Sequence, residues 1–99
     1  MTIIEIRENE ISIKGHSGYA EEGKDIVCAA ISTLSEATYN YLVATKNKVN
    51  IEESDALYVI HIEELNEQGK AIISSFKGMI NDIENQYPKY VMWRRIWKS

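Results

Sequence analysis

A single cysteine in a chain of 99 residues excludes an intramolecular disulfide, and with it the disulfide-stapled class of small secreted domains. It also excludes a structural zinc site that draws two or more cysteines from one chain. No apolar run approaches the roughly 18 residues that a membrane-spanning helix needs, so no membrane partner is expected. The opening MTIIEIREN lacks the basic start and apolar middle of a secretory signal. Together these absences predict a cytoplasmic protein, in which a lone thiol stays reduced. Net positive charge is missing too, since the formal charge is -4. A nucleic-acid binder needs a basic surface to neutralise phosphates, so no direct nucleic-acid partner is expected. An acidic surface instead speeds encounter with a cationic protein. Only the C-terminal KYVMWRRIWKS is locally basic, and it is aromatic as well.

A hydrophobic share of 44% and a charged share of 26% suit one globular domain over residues 1–99. A chain this short has little core to spare, which makes a homodimer attractive. TIIEIRENEISIKGH alternates apolar and polar residues and predicts a β-hairpin with its turn around Glu8 to Glu10. SGYAEEGK, with two glycines and no period, predicts a loop in which Glu21 and Glu22 are solvated charges. Asp25 is suited to cap a helix running to about Thr45, with the stripe Val27, Ala30, Ile31, Leu34, Thr38, Tyr41 and Leu42. Two strands follow at about 48–53 and 57–63, turning at Ser54 and Asp55. A second helix spans about Asn66 to Gln86, with the stripe Ile72, Phe76, Met79, Ile80, Ile83 and Tyr87, and Pro88 ends it. YVMWRRIW predicts a last strand. The order ββαββαβ reads as an α+β two-layer sandwich: a mostly antiparallel sheet covered on one face by two helices.

GHSGYAEEGKDIVCAAIS holds the one cysteine and one of the two histidines. Cys28 falls in the first turn of the first helix, at the edge of the apolar stripe, where unpaired N–H groups and the helix dipole favour negative charge. His16 lies across a loop long enough to fold back, so its imidazole can take the thiol proton and return it to a leaving amine. The helix amides offer themselves to a developing oxyanion. On spacing alone a second reading stands beside this one: a lone cysteine at a stripe edge is commonly a small buried hydrophobe. Likewise Asp25 reads as a cap, Ser32 as a local backbone partner, and His61, on one sheet face with Val59, as structural or interfacial. Tyr90, Trp93 and Trp97 read as packing or dimer contacts.

GHSGYAEEGKDIVCAAISTL resembles the signature of the ribosomal-processing cysteine protease family, Prp. In that family GHA or a similar triplet closes a strand, a variable glycine-containing loop follows, and DIVCAAVS or similar opens a helix. The likeness is densest over residues 15–34, and the element order fits the remainder. The resemblance implies a cytoplasmic cysteine endopeptidase, a homodimer, that removes a short N-terminal extension from a large-subunit ribosomal protein precursor. It implies no cofactor and no metal. It makes Cys28 the nucleophile and His16 its general base, with Asp25 and Ser32 in support. Ser17, Gly18, Tyr19 and Gly23 then belong to a substrate lid. Ser17 departs from the usual alanine and offers the histidine another hydrogen-bond partner. Two other functions remain open: a non-catalytic ribosome-associated binding module on the same scaffold, and a thiol redox sensor.

Overall fold

A computed structural model describes residues 1–21 and 23–96 of the chain. The expectations for Glu22 and Trp97 lie outside the described residues. The elements are β1 (Thr2–Arg7), β2 (Glu10–Lys14), α1 (Ile26–Ala44), β3 (Lys48–Ser54), β4 (Leu57–Glu64), α2 (Glu67–Gln86) and β5 (Val91–Arg95). The order is the expected ββαββαβ. One five-stranded sheet forms, with spatial order β3-β4-β2-β1-β5. Three of its pairings are antiparallel, and β1 with β5 is parallel, so the sheet is mixed. The parallel pair follows from α2, which carries the chain from β4 past β2 and β1 to the far edge; a helical crossover is what brings two strands side by side in one direction.

Register explains the core. Ile4 opposes Ile13, and Ile6 opposes Ile11, which opposes Ile60 on β4. This places one isoleucine-rich face under the helices, where all five are buried together with Val27, Ile31 and Leu42 of α1 and Ile73, Phe76 and Ile80 of α2. Both stripes need correction. In α1 the buried line is Val27, Ile31, Ser35, Thr38 and Leu42, while Ala30 and Tyr41 face out. Ser35 and Thr38 are tolerated inside because their hydroxyls donate back to the carbonyls of Ile31 and Leu34, both at 2.7 Å. In α2 Ile73 is buried and Met79 is exposed.

The other sheet face carries no helix among the described residues, yet Glu5 on it is only 6% exposed. Arg94 donates to Glu5 Oε2 through Nε and Nη2 at 3.0 and 2.7 Å, and Arg7 and Lys14 flank the second oxygen. Arg94's hydrogen bonds hold the Glu5 carboxyl below the usual range against the opposing effect of burial. His61 sits on this face between Glu10 and Glu52, at 3.5 and 3.3 Å. Trp93 is tied to α2, its ring N–H donating to Asn81 and its backbone N–H to Glu84.

Phe76 is fully buried between the layers. Phe76→Ala is therefore expected to cost about 3–5 kcal/mol, read as a lowered midpoint in urea unfolding at unchanged slope.

Candidate functional site

β2 delivers His16 through a forced turn. Gly15 has φ +86, and a Cβ there would stand 2.7 Å from the Met1 carbonyl oxygen. Only glycine fits that approach without moving backbone. The Gly15 N–H donates to the Ala56 carbonyl at 2.8 Å, fastening the turn to the β3–β4 hairpin. His16 then points into an exposed position at the start of the loop.

Asp25 organises the other half. Its Oδ1 accepts the N–H groups of Val27 and Cys28 at 3.0 and 2.9 Å, which caps α1. Its Oδ2 accepts the Ser17 hydroxyl at 2.5 Å and the N–H groups of Tyr19 and Ala20 at 3.1 and 3.4 Å. Burial pushes this carboxyl up, but the hydrogen bonds from Ser17, Cys28 and Ala20 outweigh it and bring the pKa down to about 2. One carboxylate thus binds the loop to the first helical turn.

That arrangement places the sulfur. Cys28 is half-buried, and the Ser17 N–H donates to its Sγ at 3.2 Å. The thiol in turn lies 3.5 Å from Ser17 Oγ. Two clefts meet at Cys28, His16 and Ser32. One, of about 190 Å³, runs between α1 and the strands; the other, of about 450 Å³, runs under the loop past Gly18, Gly23 and Asp25. Imidazole and sulfur share both walls, but no hydrogen bond joins them among the described residues. Among the described residues no group of three or more His, Cys, Asp or Glu side chains gathers as a metal-binding set.

Three expectations change. Ser17 is not a free lid residue: it is 2% exposed and its hydroxyl serves Asp25 and the sulfur, not His16. Three amides of the first helical turn are engaged within the cap rather than open to an oxyanion: Val27 and Cys28 donate to the Asp25 side chain and Ala29 donates to the Asp25 carbonyl. Beside the sulfur stands the N–H of Ser17, which donates to it. Finally, the loop is anchored at its outer end as well: Tyr19 stacks edge-on against both Tyr87 and Tyr90, with ring centroids 5.5 and 5.3 Å away. Tyr90, expected as packing, is half of that clamp. Sequence reasoning also missed Thr2, Glu36, Glu53 and Tyr58 in the cleft wall. The even spacing of Cys28, Ser32 and Glu36 on one helix face was the signal that could have found Glu36.

Comparison with known proteins bears on the family and the fold. The family model for Cysteine protease Prp matches residues 1–92. The Ribosomal processing cysteine protease Prp of Mycoplasma genitalium is 59% identical over 32 residues, 32% of each chain, so the aligned part spans about a third of that curated relative's length. The Prp of Staphylococcus aureus, solved with a covalently linked product peptide, superposes with a TM-score of 0.91 at 20% identity, covering 97% of this chain and 100% of that one. Its complex with a substrate peptide gives 0.85 at 19% identity, covering 97% and 100%. SMU.848 from Streptococcus mutans gives 0.75 at 25% identity, covering 98% and 93%.

Asp25 ionises more easily folded than its ordinary value of 3.8 allows, so its hydrogen bonds stabilise fully above about pH 4 and are lost as pH falls through about 2. Asp25→Asn is expected to lower stability by about 1–3 kcal/mol at pH 7, since bonds to a charged acceptor are replaced by weaker ones. The loss should shrink between pH 4 and pH 2, as followed by thermal melts across that range.

Proposed function

The chain belongs to the Prp family of cysteine proteases, and from that premise we propose that it is a cysteine endopeptidase acting through Cys28 and His16. The observation that carries the reading is the meeting of two clefts at Cys28 and His16, with the sulfur in the first turn of α1. An extended peptide occupies the clefts. His16 takes the thiol proton, and Sγ attacks the scissile carbonyl carbon. The Ser17 N–H, already directed at the sulfur, stands next to the developing negative charge. As the tetrahedral adduct collapses, His16 gives its proton to the departing amine, leaving an acyl group on sulfur. Water, deprotonated by His16, then hydrolyses the thioester and restores the thiol.

Asp25 and Ser32 support the pair, Asp25 by fixing the first turn and the Ser17 amide, Ser32 by lining both clefts. Gly18, Tyr19 and Gly23 form the lid. Opening it breaks the contacts of Tyr19 with Tyr87 and Tyr90, and closing remakes them over the bound peptide. The proposed substrate is the N-terminal extension of a large-subunit ribosomal protein precursor, as the resemblance over residues 15–34 implies; the Mycoplasma genitalium relative is named for ribosomal processing. A net charge of -4 suits such a basic partner. The protein works as a cytoplasmic homodimer of single-domain chains, residues 1–99. No helix among the described residues is long and apolar enough to cross a membrane.

The competing reading, a non-catalytic ribosome-associated module, draws on the missing bond between imidazole and sulfur. It is the weaker of the two, because catalytic hydrogen bonds in unliganded enzymes often close only when substrate binds.

Cys28→Ala is expected to abolish cleavage of a peptide spanning an extension junction while the melting temperature stays within a few degrees. His16→Ala should lower turnover by about 10²- to 10⁴-fold, the usual contribution of a general base. Mass spectrometry of the peptide products reads both, and normal turnover by Cys28→Ala would end the reading.

A further inference from the structure

The smaller cleft extends beyond the sulfur along α1, and its far wall is acidic. Glu36 comes from α1 and Glu53 from β3, and both are exposed at its rim. Glu53 stands opposite Tyr58 in the β3–β4 register, so the two glutamates approach the same ring from the helix and the sheet. Among the described residues neither carboxylate has an ion-pair partner. Between them and Cys28 the cleft is lined by the apolar Ile13, Ile31 and Tyr58 ring, with Ser32 and Ser35 of α1 beside them. Their negative charge also reaches the Tyr58 hydroxyl, which burial first, and then Glu36 and Glu53, push above its ordinary value.

A second feature of the cleft wall is a polar side chain buried without a partner. Thr2 lines it, is 2% exposed, and its Oγ1 has no hydrogen-bond partner among the described residues. A hydroxyl removed from water without a partner is costly, and native proteins rarely leave one so.

We infer that this cleft is a subsite for a cationic side chain, lysine or arginine, of the peptide that the Cys28 site cleaves, with Glu36 and Glu53 receiving the charge and the apolar part of the lining carrying the stem. Long basic side chains suit such a place because their methylene stems pack on apolar surface while the charged head stays at the wet rim. Spacing sets where the residue sits. Glu36 is eight positions beyond Cys28, about 12 Å along a helix at 1.5 Å per residue. An extended peptide advances about 3.3 Å per residue, so the cation lies two to four residues from the scissile bond, its own side chain spanning part of the distance. The inference rests on the protease reading for the word cleaves, but the binding it describes stands apart from it.

The test uses a set of junction peptides in which one lysine is moved through successive positions on both sides of the scissile bond, each matched by a glutamine and a glutamate peptide. Two readouts run in parallel: kcat/KM with the wild-type protein, and Kd with Cys28→Ala by fluorescence anisotropy. At one position, two to four residues from the cut, lysine should exceed glutamine by about tenfold in both readouts, with glutamate worst. The lysine-to-glutamine ratio should fall towards one in Glu36→Gln/Glu53→Gln, and should shrink as salt is raised. A glutamine peptide bound as well as the lysine one at every position, or a ratio unchanged in the double variant, would overturn the subsite. Cation-dependent binding without cleavage would keep the subsite and remove the protease reading. Cleavage without cation dependence would do the reverse.

Discussion

The site depends on one buried carboxylate. Asp25 accepts hydrogen bonds from the Ser17 hydroxyl and from the N–H groups of Tyr19, Ala20, Val27 and Cys28. Taking a carboxylate out of water is costly, and only a full set of donors offsets that cost. Because the donors come from two segments, satisfying the charge forces them together: the loop after β2 must lie against the first turn of α1. The Ser17 amide is then left directed at the sulfur, and the Cys28 backbone is held at its place in the helix. A cap residue, ordinarily a local helix signal, here sets a tertiary contact.

The sheet provides the second constraint. β2 is a central strand, paired on both sides, and it ends one residue before a glycine that no other residue replaces. His16 is therefore launched from the end of a strand paired on both sides, while Cys28 is carried by a helix packed on the same sheet through Val27 and Ile31. The loop joining them is held at its base by Asp25 and at its tip by the Tyr87–Tyr90 pair. Between these anchors lie Gly18 and Gly23, both at positive φ, a conformation glycine adopts without strain.

Much of this was legible in the sequence wherever the signal is local. Alternation gave the strands, helical spacing gave the helices, and Asp25 and Pro88 marked their ends. The resemblance over residues 15–34 put Cys28, His16, Asp25 and Ser32 together, and all four line the same larger cleft. The illegible parts depend on partners distant in the chain. No local pattern reveals that β5 pairs parallel with β1 or that Tyr19 meets Tyr87 and Tyr90. Hydrophobicity alone misjudged α1, since Ser35 is buried by bonding to its own helix while Ala30 and Tyr41 remain outside. Ser17 read as a lid residue because its buried hydrogen bonds run to a residue eight positions away.

The central claim is that the Asp25 network holds Cys28 ready to attack a peptide lying in the clefts. Covalent labelling by a peptide carrying an electrophilic carbonyl in place of the scissile bond tests it most directly, followed by intact-protein mass and compared with labelling by iodoacetamide. The account predicts one peptide adduct on Cys28 in the wild type, formed at least about tenfold more slowly in Asp25→Asn, as expected when reacting atoms are misplaced by about an ångström, with iodoacetamide labelling little changed. Equal peptide labelling of the two proteins, or no adduct on Cys28, would contradict it.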